Sequence, residues 1–369
     1  MKFGFVLTNL AGGGAEKAVL KLSSALAAGG DEVHLILLES VIEQEPSKDL
    51  SIHALTAPGR KLSKGIIGRR LAARRLGRLV RRLEDETPFD LLVSTLPFAD
   101  EVSILAKLEH HWCRIANTLS AEIERLRATN PRKATRRLAK YRRLYGVRPL
   151  IAVSDGVASD LRDQLLLRGN RIERIYNPFD FDDIRNRATA PAPRPAGPYV
   201  IHVGRFAAQK RHDVLLDAWA RLAVPHTLVL LTAPDPRLTR MIDARGLASR
   251  VNVAGFQANP YPWIGGAALL VLSSDYEGLP NVLIEALALG VPVVSTDCPS
   301  GPREILGPAA DTCLVPMGDA QALAQAIGHA LTLTLTPARA PALAQIALGC
   351  YATATVVADY RRIANETSG

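Results

Sequence analysis

Residues 269–295 read LLVLSSDYEGLPNVLIEALALGVPVVS. The apolar run Leu269–Leu272 has the length and branching of a buried strand, and Ser273-Ser274-Asp275-Tyr276-Glu277 follows as a loop. Pro280 suits the first turn of a helix. A second apolar run, Val291–Ser295, closes the unit. Strand, helix and strand in this order predict parallel pairing with a right-handed crossover.

The pattern extends in both directions. Upstream lie strand signals at Tyr199–Val203, Thr227–Leu231 and Val251–Ala254, with helical stretches between them. Ala188 to Pro198 is too proline-rich for any element and reads as a linker. Before it come strands at Phe3–Leu7, Val33–Leu38, Leu91–Ser94, Arg114–Ala116 and Leu150–Val153, with a helical period running to Leu26. Ser154-Asp155 starts a further helix, with Val157, Leu161 and Leu165 on one face. The chain has 369 residues, enough for two domains with separate cores. The expectation is α/β: two Rossmann-like domains, 1–187 and 199–349, joined by 188–198.

Composition excludes several classes. At 48% apolar residues the chain is not a disordered one. No apolar run approaches the roughly 18 residues of a spanning helix, and the N-terminus reads as a first buried strand, not a signal peptide. Cys113, Cys298, Cys313 and Cys350 are scattered without C-x-x-C spacing. They predict reduced thiols in a cytoplasmic protein, with neither a disulfide framework nor a zinc site.

Charge is uneven. Residues 60–83 hold ten basic residues and no acid, and 125–148 hold ten more and no acid, out of 45 Lys+Arg in all. Both read as amphipathic helices. Ala72, Leu76, Leu79, Val80 and Leu83 oppose Arg70, Arg74, Arg78 and Arg81; Ala134, Leu138, Tyr141 and Tyr145 lie beside Lys133, Arg137, Lys140 and Arg143. Such faces attract phosphate, whether of lipid, nucleic acid or substrate; the plainer reading is a solvated surface.

Open α/β sheets bind ligands beyond the carboxyl ends of their strands. There the sequence places Gly12-Gly13-Gly14 opening the first helix, a turn that suits an anion or is simply tight. Gly204-Arg205-Phe206-Ala207-Ala208-Gln209-Lys210 follows the strand 199–203, with two cations able to neutralise a diphosphate. Glu277 lies in the loop before the helix that begins near Pro280, and Glu285 about a turn and a half along it. Their neighbours are mostly apolar, so unpaired acids there are costly unless they bind something.

The run 277–294, with its E-x7-E spacing, resembles the signature of retaining glycosyltransferases of family 4, which have the GT-B fold. The resemblance extends to Gly12–Glu16, to Val203-Gly204-Arg205 with Lys210, and to Ser300-Gly301-Pro302-Arg303-Glu304. It implies two Rossmann-like domains facing each other across a cleft, with residues 350–369 (Val356, Val357, Tyr360, Ile363) crossing back as a helix to the first domain. It also implies roles. Arg205 and Lys210 hold and stabilise the departing diphosphate, Glu277 holds the transferred sugar, and Glu285 binds the ribose hydroxyls. Gly278, Leu279, Asn281 and Val282 contact phosphate and sugar. The Gly255-Phe256-Gln257 turn grips the base, and Gly13 and Gly14 close on donor or acceptor.

No metal or other cofactor is expected; the donor is a nucleotide sugar, with UDP preferred over GDP. The family's histidine after the fourth strand is missing, for that stretch reads Ile115-Ala116-Asn117-Thr118. Asn117 or Thr118 takes its polar role, or the sugar is placed differently. His110, His111 and His202 are expected to be structural, as is the Asn177-Pro178 turn.

The resemblance makes the basic helices an acceptor and membrane surface, with Arg70, Arg74, Arg78, Arg81, Arg137 and Lys140 facing anionic lipid and a lipid-linked, lipopolysaccharide or exopolysaccharide acceptor. That implies a peripheral enzyme on the cytoplasmic face of the inner membrane. The rivals are a nucleotide-sugar epimerase of the same fold and a basic nucleic-acid-binding protein. The second lacks a reading motif and stacking aromatics.

Overall fold

The structure, a computed structural model, describes residues 1–11, 13–43, 46–333 and 348–368. It divides into two compact units: Met1–Phe179 with the C-terminal segment from Gly349, and Asp180–Leu348.

The first unit carries a seven-stranded sheet of β1 (Lys2–Leu7), β2 (Glu32–Leu37), β3 (Ser51–Ala54), β4 (Leu91–Thr95), β5 (His111–Ile115), β6 (Leu150–Ala152) and β7 (Ile172–Arg174). Their order is β3-β2-β1-β4-β5-β6-β7 and every pairing is parallel. The second unit has β8 (Tyr199–Val203), β9 (Thr227–Leu231), β10 (Val251–Val253), β11 (Leu269–Leu272), β12 (Val293–Thr296) and β13 (Leu314–Val315), in the order β10-β9-β8-β11-β12-β13, again all parallel. Both sheets are doubly wound, and each reverses direction beside its first strand. In the second unit that switch point lies between β8 and β11. It brings the loops after these two strands together, although 67 residues separate Lys210 from Glu277.

Central strands are buried along their whole length, which is why they read as unbroken apolar runs. The second core sets Val200, Leu228, Leu269 and Val271 of the sheet against Leu215, Trp219, Leu323 and Ile327 of the flanking helices. Three strands escape the sequence reading: β3, β7 and β13 are edge strands of four, three and two residues, too short or too polar to form a run. The strand expected at 114–116 begins earlier, at His111, so His111 lies within it.

Three other expectations are corrected. The chain passes between units at Phe179–Asp180, ahead of the proline-rich stretch. Helix Phe181–Ala188 and residues 189–198 belong to the second unit, where Arg194 Nη1 donates to Pro262 O at 3.2 Å. The basic stretch 125–148 is two helices, Leu119–Thr129 and Pro131–Tyr145, because Pro131 restarts the chain and Asn130 caps the second helix by accepting from Lys133 N at 3.0 Å. The first basic helix spans Ile66–Leu83, starting later than residue 60.

The final helix, Thr353–Ser368, lies in the first unit. Tyr360 packs on Phe5, Trp112 Nε1 donates to Thr367 Oγ1 at 3.2 Å, and Arg361 Nε donates to Asp31 Oδ2 at 2.9 Å.

Candidate active site

The loop after β8 is short and tight. A Cβ on Gly204 would sit 3.3 Å from Lys210 Cε, so glycine lets the lysine stem lie close to the strand end. Arg211 ends the loop in the left-handed region, at φ 47° and ψ 50°. Its guanidinium is held by Asp213 at 2.8 Å and by Asp275 at 2.9 Å. These bonds offset the cost of that backbone and tie the loop to the one after β11. Both carboxylates hold the Arg211 cation more firmly charged than usual, Asp213 foremost.

The second loop is knit to the first by further bonds. Ser273 Oγ donates to Lys210 O at 2.7 Å, Asp275 N donates to Gln209 O at 2.9 Å, and Gln209 Nε2 donates to Tyr276 O at 2.6 Å. Within this frame Lys210 Nζ meets Glu277 Oε1 at 2.5 Å. Ser274 Oγ donates to the same oxygen at 2.6 Å. Glu277 N donates to Pro299 O at 3.3 Å. The pair sits where both loops end, with the carboxylate more deeply buried than the ammonium.

Arg205 lies on the same loop as Lys210. It is exposed and makes no ion pair or hydrogen bond with another described residue. Gly278 and Leu279 are buried, and helix Asn281–Ala288 follows with Pro280 at its N-cap and no side-chain cap. Glycine is required at 301: its φ is +98°, and a Cβ there would lie 2.2 Å from Pro280 Cδ and 3.3 Å from Leu279 Cα. Asn281, Val282 and Glu285 are half-buried along the helix. Phe256 follows β10 with its residue 64% exposed, beside Gly255 at φ +79°.

Behind Lys210 lies a histidine pair. His202 Nδ1 bonds to Val271 O at 2.9 Å and its ring stands edge-on to that of His212, centroids 4.8 Å apart. Burial holds His202 well below the usual imidazole range and pushes His212 down to about 4. Burial also pushes the Cys298 thiol up, with Glu277 adding to the shift. Among the described residues no group of three or more His, Cys, Asp or Glu could hold a metal ion.

In the first unit, Gly13 precedes helix Gly14–Ala28. A Cβ on Gly13 would fall 2.2 Å from Glu16 Oε2, so this glycine makes room for a carboxylate at the helix N-terminus, whereas a Cβ on Gly14 would meet nothing within 4 Å. His110 Nδ1 bonds to Phe89 O at 2.8 Å and His111 Nε2 to Ser94 Oγ at 2.9 Å, both structural roles. Asn177 Oδ1 accepts from the buried Arg114. Thr118 is buried at the start of helix Leu119–Thr129, and Asn117 is half-buried before it.

The basic faces divide. Arg70, Arg74, Arg78 and Arg81 are exposed and make no ion pair with another described residue. Arg137 and Lys140 do not join them: Arg137 is paired with Glu122, and Lys140 Nζ with Glu101 Oε2 at 2.7 Å. The sequence reading also missed Ser274, Gln209 and Thr296, since a lone hydroxyl or amide announces its partner only through the fold.

Two family profiles match the chain, Glycosyltransferase Family 4 over residues 12–183 and Glycosyl transferases group 1 over residues 197–332. The N-acetylgalactosamine-N,N'-diacetylbacillosaminyl-diphospho-undecaprenol 4-alpha-N-acetylgalactosaminyltransferase of Campylobacter jejuni is 27% identical over 310 residues, 83% of each chain. The lipopolysaccharide 1,6-galactosyltransferase of Salmonella typhimurium is 30% identical over 184 residues, 47% of this chain and 50% of that protein. Anabaena HepE, solved in complex with UDP-glucose, shares the fold with a TM-score of 0.72 over 100% of this chain and 99% of its own, at 19% identity. The fold is GT-B and the protein is a glycosyltransferase of glycan synthesis. The chain belongs to family 4, the group 1 glycosyltransferases.

Proposed function

We propose that this glycosyltransferase moves a sugar, with retention at its anomeric carbon, from a UDP-sugar to a lipid-linked or lipopolysaccharide-type glycan, without a metal ion, at the cytoplasmic face of a membrane. The observation that carries the donor reading is the Lys210–Glu277 pair at the β8–β11 switch point, with the unpaired Arg205 on the same loop.

Two cations at one strand end suit a diphosphate, and preorganised donors aimed at developing negative charge lower the barrier to its departure. In this reading Arg205 and Lys210 take the place of a metal. The C1–O bond to the diphosphate breaks while the acceptor oxygen bonds to C1 from the same face, and the hydroxyl proton passes to the departing diphosphate. Glu277 holds the sugar through its hydroxyls and Glu285 the ribose. UDP as the donor nucleotide follows the UDP-glucose bound to HepE, and a lipid-linked acceptor follows the diphospho-undecaprenol substrate in the name of the Campylobacter jejuni relative, both carried to this chain as part of the proposal.

Membrane contact is supported by the first unit. Ile66, Ile67, Leu71, Leu105 and Val147 are exposed. A groove of about 530 Å³ runs among Ile66, Arg70, Ile104, Leu105, Lys140 and Val147. Apolar side chains interleaved with unpaired arginines fit an anionic lipid surface. No helix among the described residues is long and apolar enough to cross a membrane.

The test is transfer from UDP-sugars in EDTA to a polyprenyl-diphosphate-linked glycan, with NMR of the new linkage. The expected result is acceptor-dependent product with the donor's anomeric configuration. Conversion of the donor sugar without acceptor supports the epimerase reading instead, and an inverted product removes retention.

A further inference from the structure

We propose that Ser274 is a positioning residue for Glu277, holding its carboxylate in place when Lys210 turns from it to the donor diphosphate. This inference rests on the donor reading of Lys210 and Glu277 given above.

Glu277 Oε1 accepts from two donors of different mobility. Lys210 offers an ammonium on a flexible four-carbon stem, and its side chain is 19% exposed. Ser274 offers a hydroxyl at 2.6 Å from a residue that is 0% exposed, so it touches Glu277 but does not reach a ligand in solvent. The Ser274 backbone is pinned as well, because Thr296 Oγ1 donates to Ser274 O at 2.6 Å. Ser273, its neighbour, fixes the Lys210 backbone through Lys210 O while leaving Nζ free to swing. The two serines after β11 therefore divide the work: one anchors the main chain of the lysine, the other the carboxylate.

The ion pair sets a conflict. A lysine bound to Glu277 is spent on a carboxylate, whereas the diphosphate requires its charge. When Nζ moves, a largely buried carboxylate loses a cation, and the Ser274 hydrogen bond, of a kind that favours the charged form of a carboxylate in general, then holds it oriented. Among the groups facing Glu277 are Lys210 from the loop after β8 and the Cys298 thiol from the loop after β12, which burial keeps protonated. His202 and His212 stand behind Lys210 and are held neutral by burial.

Ser274→Ala removes one oxygen and Ser274→Cys replaces it with a weaker donor of similar size; Ser274→Thr keeps the hydroxyl. The measurement is the pH profile of kcat/KM for the nucleotide sugar, with a thermal melt and UDP binding as controls. In the Ala and Cys variants the acidic limb is expected to move up by about one to two pH units, since a charged hydrogen bond of this kind is worth roughly 1.5–3 kcal/mol. The loss of rate is concentrated on the acidic side, reaching about tenfold or more below the limb, while the rate well above it and the melt stay near wild type. The Thr variant keeps the wild-type limb. If Ala does not fold, the Cys variant alone must show the shift. An unmoved limb, or a uniform loss of rate at every pH, overturns the proposal. A wild-type protein that binds no nucleotide overturns the donor reading and this proposal with it, and that outcome is distinguished by the wild-type control.

Discussion

Asp100, in helix Pro97–Leu105 of the first unit, is a fully buried carboxyl group. Its carboxylate accepts from Ser94 Oγ at 2.6 Å and Tyr145 OH at 2.9 Å, and Tyr145 is 45 residues away. Burial pushes the carboxyl up to about 7, against the pull of Ser94, Tyr145 and Arg114. A folded pKa raised above the unfolded one means that the native state binds more protons between about pH 4 and 7. This group's contribution is therefore full below pH 4 and lost as the pH rises through 7. Asp100→Asn, which cannot ionise, is expected to flatten that dependence. From pH 5 to pH 8 its melting temperature should fall several degrees less than that of the wild type, a difference of a few kcal/mol at most. Parallel curves would show that Asp100 stays charged in the folded protein. Glu277 and Lys210 could be singled out as candidates in the sequence where Asp100 could not, because each lies in the loop that follows an apolar run readable as a central strand.

At the scale of elements, the basic helix Ile66–Leu83 presents its apolar stripe inward through Ala72, Ala73, Leu76 and Val80. The opposite face carries arginines that no described acid neutralises. Helix Pro131–Tyr145 looked equivalent in sequence and is not, since Glu122 and Glu101 on other helices claim Arg137 and Lys140. Amphipathic period shows which side of a helix is buried; it does not show what distant acids meet the other side. The lipid reading thus narrows to the first helix. Replacing Arg74, Arg75, Arg78 and Arg81 with Glu should weaken co-sedimentation with anionic phospholipid vesicles by roughly a hundredfold or more, at about 1 kcal/mol per cation near the surface. Nucleotide binding should be unchanged, and the wild-type interaction should weaken with salt. Undiminished sedimentation of the variant would remove this helix from the membrane reading.

Across the whole molecule, one rule accounts for the placement of the candidate site. Both sheets are parallel and share one strand order over six strands, the first sheet adding β7 at its edge, and a doubly wound sheet opens at the strands where its winding reverses. In the second unit those are β8 and β11, and their loops carry Arg205, Lys210 and Glu277. Alternating apolar runs and helical periods made the two-domain α/β architecture readable. The edge strands β3, β7 and β13 were not readable, because their polar or very short sequences rest on pairing with a neighbour. The boundary at Phe179–Asp180 was hidden for a related reason: prolines mark irregular backbone, whereas packing decides which unit that backbone joins.

The central claim is that the loops after β8 and β11, with the helix from Asn281, form a nucleotide-sugar site. Calorimetry of the purified protein in EDTA against UDP, GDP, ADP and their common sugars tests it most directly. The prediction is binding of UDP and UDP-sugar, reduced at least tenfold in Lys210→Ala and in Glu285→Ala while both variants melt as the wild type does. A folded protein that binds none of these nucleotides, or binds them equally well in both variants, would contradict it.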